Sequence, residues 1–300
     1  MMDIRRLSAF VKIVDIGSIT RASAILHIAQ PALSQQIAAL EAHFGKALLI
    51  RSKRGVVPTE AGKVLYKHCQ MLIRQMNQAE ADIATSSEEI TGSVRVGLAP
   101  LGLGSLVAAK LVQSIRQTHP GIALYINEPV GGGAISEQVM TGKMDAALIF
   151  DPGKVPSLIF DPICTEEMFF VGMALPEADG EISFAEAVSH PLILPSAIHT
   201  IRQVIDTTLA RVGTTAQVVA ETESISILSN ALAEGLGCTI LPSSAALAVM
   251  RRVPEARRML VRRPNMKVNM TICTSAQLPL SEAGRVVRDH LTRLATELSC

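Results

Sequence analysis

Leu7, Phe10, Val11 and Val14 recur at i, i+3, i+4 and i+7, which predicts one buried stripe of a first helix that stops at Gly17. Ser18 offers an N-cap for a second helix with Ile19, Ala22 and Leu26 on its inner side. Pro31 suits the first turn of a third helix, where its missing N–H costs nothing, and Leu33, Ile37 and Leu40 turn inward before Gly45 ends it. The stretch "LLIRSKRGVVPTEAG" then reads as two short strands around the tight basic turn Ser52-Lys53-Arg54-Gly55.

From Thr59 to about Glu89 the pattern is that of one long helix. Leu65, Cys69, Leu72, Met76, Ala79 and Ile83 follow one another at spacings of 4, 3, 4, 3 and 4, a heptad seam that predicts pairing with the same helix of a second copy. The alternative is a helix packed on its own domain. After the polar stretch "SSEEITG" the period changes. "SVRVGLA", "IALYIN" and "MDAALIF" read as strands separated by the helices "SLVAAKLVQSIRQTHP" and "ISEQVMTGK", an α/β unit with a largely parallel sheet. A second unit follows, with strands at "MFFVGMA", "LILP", "AQVVAE" and "CTILP" and helices near 199–211 and 224–234. The chain is expected to return to the first unit through "MKVNMTICT" and a final helix from Ser281 to about Leu298.

The pattern thus divides the chain into 1–58, a helical module closed by two short strands, 59–89, a linker helix, and 90–300, an α/β body. That body falls into subdomain I, about 90–162 and 266–300, and subdomain II, about 163–265. Charge sharpens the division. Residues 1–67 hold ten Lys or Arg against four Asp or Glu, leaving 18 against 23 in the remainder of a chain whose totals are 28 and 27. A basic amino-terminal module meeting a polyanion, joined to an acidic body that does not, fits this asymmetry.

Chemistry narrows the reading mostly by exclusion. The five cysteines are far apart and form neither a CxxC nor a Cys/His pair at metal-ligand spacing, so neither a disulfide framework nor a zinc site is expected. A reducing cytoplasm fits them, and the charges among the first residues do not fit a secretory signal. The glycine-rich "GLAPLGLGS" lacks both GxGxxG and GxxxxGK[ST], and there is no GxSxG elbow or HExxH pair, so no cofactor and no enzymatic activity are expected. The arginines of "RRVPEARR" read as a solvated face.

From Ala22 to Leu40 there is no Asp, Glu, Lys or Arg, yet Ser34, Gln35 and Ala38 lie off the buried stripe. A short helix-turn-helix whose second member opens on polar residues has the geometry that enters a DNA major groove, where glutamine pairs bidentately with adenine. Gln30, Pro31, Ser34 and Gln35 are therefore the candidates for base edges, and Arg51, Lys53, Arg54 and Thr59, with Lys46 nearby, for the backbone. Ordinary helix surface is the plain alternative for each glutamine taken singly.

The same residues carry a family resemblance. Leu7, Phe10, Val14, Gly17, Ser18, Ala22, Leu26, Gln30-Pro31-Ala32-Leu33-Ser34, Ile37, Leu40-Glu41, Leu48, Arg51 and Pro58-Thr59-Glu60-Ala61-Gly62 resemble the DNA-binding domain of the LysR-type transcriptional regulators. "HIAQPALSQQ" is most similar to the branch of nitrogen assimilation control. Ser23, Gln35, Ala38 and Leu49 depart from the family's usual residues, which leaves DNA binding in place and alters which bases are read.

The resemblance implies a winged helix-turn-helix, a dimerising linker helix and an effector-binding body of two subdomains in the style of periplasmic binding proteins. It also implies double-stranded DNA as partner, assembly into homo-dimers or tetramers, and an encounter with RNA polymerase. Many members hold an anionic ligand with a serine or threonine just after the first strand of that body, where this chain has Ala99-Pro100-Leu101-Gly102, with Ser105 a turn later. The expected ligand surface is Pro100, Leu101, Gly102, Ser105, Gly131, Ser196, His199 and Thr200, with Pro129 and Phe150 as an apolar wall. Such a pocket takes a largely hydrophobic, singly anionic effector or none. The competing function is a solute-binding or enzymatic α/β body that carries the helix-turn-helix as an interaction module.

Overall fold

The computed structural model describes residues 3–299 except 53–54, 85–88, 130–131, 174 and 176–179, and leaves the side chains of 78, 81–82, 84 and 132–134 aside. The chain divides into two compact units, residues 1–86 and 87–300.

In the first unit α1 (Ile4–Ile16), α2 (Ile19–Leu26) and α3 (Gln30–Phe44) close on one core. Their ends follow from local chemistry. Asp3 caps α1, Ser18 caps α2 by accepting from the Arg21 amide at 3.3 Å, and Gly17 and Gly45 end α1 and α3 in the left-handed conformation. The stripe of α1 is centred on Leu7, Phe10 and Ile13, with Val11 and Val14 packed at its margin, and it meets Ala22, Leu33, Ile37 and Leu40. Full burial of a side chain such as Phe10 contributes about 1.5–3 kcal/mol.

The wing is the antiparallel pair β1 (Leu49–Ser52) and β2 (Gly55–Pro58), in register Leu49↔Pro58 to Ser52↔Gly55. Glu41 fixes its start, its carboxylate accepting from the Leu48 and Leu49 amides at 2.8 and 3.2 Å. The Val56 amide donates to the Gly17 carbonyl at 2.9 Å and ties the wing to the turn between α1 and α2.

Helix α4 (Glu60–Ala84) leaves the wing at once. Thr59 opens it, its hydroxyl donating to the Ala47 carbonyl at 2.8 Å and accepting from the Gly62 amide at 3.0 Å. Gly62 is required by proximity, since a Cβ there would stand 2.0 Å from the Leu48 carbonyl oxygen. Cys69 is completely buried, with Leu65, Tyr66 and Ile73 partly buried beside it, and the Tyr66 hydroxyl donates to the Asp15 carboxylate.

The second unit contains β3 (Gly92–Leu98), α5 (Gly104–Thr118), β4 (Ile122–Asn127), α6 (Gly132–Met140), β5 (Ala146–Phe150), β6 (Leu158–Gly172), β7 (Glu181–Ser183) and α7 (Phe184–Ala187). It continues with β8 (Leu192–Leu194), α8 (Thr200–Val212), β9 (Val218–Glu221), α9 (Ile225–Ala233), β10 (Thr239–Pro242), α10 (Ser243–Arg252), β11 (Arg257–Arg262), β12 (Lys267–Ser275) and α11 (Glu282–Ser299). Subdomain I has the sheet order β4-β3-β5-β12-β6, parallel among β4, β3 and β5 and antiparallel where β12 enters. In subdomain II, β10 and β11 both pair antiparallel with β6, β7 extends β11 in parallel, and β8 pairs with β9.

Strand β6 therefore belongs to both sheets. Its first half pairs with β12, and its second half with β10 and β11. The register against β12 slips between Met270 and Thr271, opposite Pro162, a residue with no N–H to give to a ladder. Glu166 stands in the middle of this strand, 5% exposed, and accepts from the Ser244 amide at 2.7 Å and from the Ser243 and Ser244 hydroxyls at 3.0 Å each. One buried carboxylate thus holds the amino-terminal end of α10, where the helix dipole favours negative charge.

Residues 251–258, the arginine-rich stretch, end α10 and begin β11; Arg251 and Arg252 are exposed, as a solvated face requires, and the next two arginines are half-buried. Arg257 donates to the Pro254 and Ala256 carbonyls, and Arg258 lies over the Phe169 ring at 4.6 Å. Further along the same strand, Arg262 pairs with Glu167 and Glu181.

Candidate nucleic-acid interface and regulatory cleft

Helix α3 buries Leu33, Ile37 and Leu40 and turns its other side to solvent. Gln30, Pro31 and Gln35 are exposed and Ser34 is half-buried, all on the first turn and a half. Their mutual contact is slight, a 3.4 Å bond from the Gln30 amide to the Ser34 hydroxyl. Ala29 gives the helix no side-chain cap, so its first amides also face outward unmatched by a side chain. Arg51 and Lys46 are exposed, whereas Lys53 and Arg54 lie outside the described residues. Thr59 uses its hydroxyl within the fold, as the cap of α4.

The heptad seam splits in two. Cys69 belongs to the core of its own unit, and Leu65 is packed against that core, which corrects the reading of these two as contacts with a second copy. Burial pushes the Cys69 thiol up to about 11. Leu72, Met76 and Ile83 are exposed to 48, 38 and 78%, and Ala79 is exposed with them. Phe44, Val64 and Leu72 flank an apolar groove of about 620 Å³ floored by Leu7, Leu48 and Leu65. The half of α4 nearer the wing thus packs inward, and the remainder offers apolar surface to a partner.

In the second unit the loop after β3 carries Ala99, Pro100, Leu101 and Gly102, all buried, while Ser105 points to solvent on α5. Leu101 has a φ of 59°, a strained value for a residue with a branched side chain. Gly102 has little room, because a Cβ there would meet the Phe150 ring at 2.9 Å. From the other subdomain His199 caps α8, its Nδ1 accepting from the Ile201 amide at 3.2 Å, and its ring meets Phe150 edge-on with centroids 5.8 Å apart. Both rings are nearly sealed, at 2 and 4% exposure. The Ser196 hydroxyl donates to the Glu223 carboxylate, itself buried. Burial holds the His199 imidazole below its ordinary value, opposed by the Glu223 charge and by a hydrogen bond to the Pro100 backbone.

The structure thus brings Pro100, Gly102, Phe150, Ser196 and His199 together around the junction of the subdomains. Thr200 is half-buried one residue beyond, Pro129 is half-buried at the end of β4, and Gly131 lies outside the described residues. Glu223, absent from the sequence reading, is the acid of this cluster. Its signal in the sequence is faint, a carboxylate one residue before the Ser224 cap of α9. Glu128, just before Pro129, has its carboxyl raised by burial and opposed by Arg252 from the end of α10. Among the described residues no group of three or more His, Cys, Asp or Glu could hold a metal ion, and no helix is long and apolar enough to cross a membrane.

A helix-turn-helix with an exposed polar face, followed by a two-subdomain α/β body joined through a shared strand, is the layout of a class of DNA-binding regulators. Residues 4–63 match the bacterial regulatory helix-turn-helix protein of the lysR family, and residues 87–296 match the LysR substrate binding domain. The chain belongs to the LysR family and is a transcriptional regulator of that type, not an enzyme. It is 36% identical over 299 residues to the nitrogen assimilation regulatory protein nac of Klebsiella aerogenes, covering 99% of this chain and 97% of that one. Among solved structures it is similar to a full-length OxyR variant from Pseudomonas aeruginosa, with a TM-score of 0.76 at 22% identity, covering 97% of this chain and 95% of the other. Full-length CbnR complexed with its target DNA has a TM-score of 0.66 at 16% identity, covering 98 and 100%. The solute-binding or enzymatic alternative is not favoured.

Proposed function

We propose that the protein reads an operator with two half-sites as a homo-oligomer built on paired α4 helices, with α3 in the major groove. Gln30, Ser34 and Gln35 read base edges, Pro31 sets the start of the reading helix, and Arg51 with Lys53 and Arg54 of the wing holds phosphates. The observation that carries this reading is the outward polar face of α3, whose Gln30 and Gln35 have no strong partner among the described residues. Leu72, Met76, Ala79 and Ile83 supply the contact with the second copy, and two such dimers give the tetramer. Work on chromosomal DNA requires the cytoplasm, and contact with RNA polymerase follows at the promoter. The likeness to nac supports operons of nitrogen utilisation as targets.

The cleft formed by Pro100, Leu101, Gly102, Pro129, Gly131, Phe150, Ser196, His199 and Thr200, with Ser105 at its rim, takes a hydrophobic, singly anionic effector or works without one. Phe150 supports an apolar preference, since its ring closes on Gly102 so nearly that a Cβ there would stand 2.9 Å from it. Selection of bound fragments from random duplex DNA by the full chain, followed by footprinting, tests the DNA reading. A two-fold symmetric motif with salt-sensitive binding is expected, and recovery of no motif would overturn it. Calorimetry of the full chain against small carboxylates tests the cleft, and tight binding of a dianion would exclude the apolar reading.

A further inference from the structure

His199 is a cap, a wedge and a tie at once. Its Nδ1 accepts from the Ile201 amide, so this nitrogen is unprotonated and the proton sits on Nε2, the nitrogen left to face the Pro100 carbonyl. Pro100 and Phe150 belong to subdomain I, on the loop after β3 and at the end of β5, while His199 opens α8 of subdomain II. The imidazole therefore joins the two halves of the body through an edge-on ring contact with Phe150 and lies against the Pro100 backbone. Space agrees with this. The only side chain at 102 that leaves the Phe150 ring where it stands is a hydrogen, since a Cβ would lie 2.9 Å from Phe150 Cζ and 3.5 Å from Met270 Cε. The Phe150 ring thus fills the space beside Gly102 at the junction of the subdomains.

We propose that Phe150 acts as a built-in ligand of the cleft and His199 as its latch, closed while the imidazole is neutral and opened by its protonation. A second proton would have to enter at Nδ1. It would set an N–H against the Ile201 N–H, end the cap of α8 and leave a cation at a site 2% exposed. From subdomain I the groups facing the imidazole are the Pro100 carbonyl and the Phe150 ring, which do not titrate. From subdomain II the facing charge is Glu223, which favours the cation and already accepts from Ser196. The neighbouring cation on α8, Arg202, is taken up by Glu221, Asp206 and the Pro195 carbonyl. Burial outweighs Glu223, so the closed form resists the proton that an opened, hydrated His199 accepts at the ordinary imidazole value. The latch is then fully closed above about pH 6.5 and yields as pH falls below it.

The inference rests on reading this junction as the regulatory cleft, and its test needs neither DNA nor effector, so its failure would leave the DNA reading untouched. Hydrogen exchange of the full chain, corrected for intrinsic rates, is followed in peptides spanning 99–104 and 198–203. In the wild type, protection is expected to fall about tenfold per pH unit once pH drops below about 6.5. His199→Asn keeps an acceptor for the cap and removes the titration, so its protection is lower than wild type and independent of pH. Phe150→Ala loosens both peptides at every pH, and toluene-saturated buffer restores protection by refilling the apolar space. Wild-type protection that ignores pH, or an equal decline in His199→Asn, would overturn the latch. Full protection in Phe150→Ala without toluene, or loosening that toluene leaves unchanged, would overturn the built-in ligand.

Discussion

The reading helix and the cleft are both lined by polar side chains, and they use them in opposite ways. On α3, Gln30 and Gln35 are exposed, and among the described residues Gln30 has only a long bond to Ser34. At the junction of the subdomains His199 caps a helix, Ser196 bonds Glu223, and the rings of His199 and Phe150 close on each other. Unmatched hydrogen-bonding groups are tolerable where water covers them and costly where it does not. A surface that waits for a partner keeps such groups in water, whereas a cleft whose groups satisfy one another has already selected a conformation.

That contrast is tested first where the effect is largest, at the waiting apolar surface of α4. Replacing Leu72 and Met76 by aspartate should leave the fold intact, because both are exposed, yet dissociate the oligomer and lower operator affinity by about 10²-fold or more. Sedimentation and DNA titration measure both, and a double mutant that still sediments as the wild type would end the case for pairing through this face. On the sealed side, Glu166→Ala removes three hydrogen bonds to a buried carboxylate and leaves their donors unmatched. It should cost about 3 kcal/mol in denaturant unfolding of the body. A loss below 1 kcal/mol would show α10 to be anchored elsewhere.

Gln35→Ala separates the two modes of use most directly. Stability should be unchanged within about 0.5 kcal/mol. Affinity for the selected operator should fall by about 1–3 kcal/mol, while random DNA is bound as before. Arg51→Ala should weaken both and flatten the salt dependence. Equal losses for Gln35→Ala on both DNAs would reduce it to ordinary helix surface.

The acid limb of stability is a smaller effect with a definite sign. Because burial lowers the folded His199, the unfolded chain binds its proton first. Unfolding free energy of the body should therefore be full above about pH 6.5 and decline as pH falls below it, and His199→Asn should flatten this limb. The smallest response is expected at the buried thiols. Cys69 is pushed up to about 11 and Cys273 to about 12, so neither should react with iodoacetamide at neutral pH until the chain is unfolded.

Periodicity made much of the first unit legible, because α2 and α3 carry start signals at Ser18 and Pro31, and α1 and α3 carry stops at Gly17 and Gly45. It failed at Cys69 for a physical reason. A heptad pattern specifies which face of a helix is apolar and says nothing of what covers it, and α1 covers this part of α4. In the body the buried strands announced themselves, whereas the first half of β6 did not, broken as it is by Pro162 and exposed along much of its length. β11 was hidden by its arginines, of which Arg262 is matched on neighbouring strands by Glu167 and Glu181. The cleft residues Pro100, Phe150 and His199 were found through the family's layout, and their closure on one another was not, since contact across two subdomains leaves no local spacing to read.

The position of β12 sets an order of events during synthesis. Subdomain I begins at Gly92, yet its sheet has β12 between β5 and β6, and β12 comes from residues 267–275. The amino-terminal unit has all its described strands and helices once residue 84 has left the ribosome, while β5 keeps an open edge until residues 267–275 are made. A nascent or prematurely ended chain would therefore pair a finished DNA reader with a half-built body whose exposed strand invites aggregation. Only the arrival of β12 closes that edge.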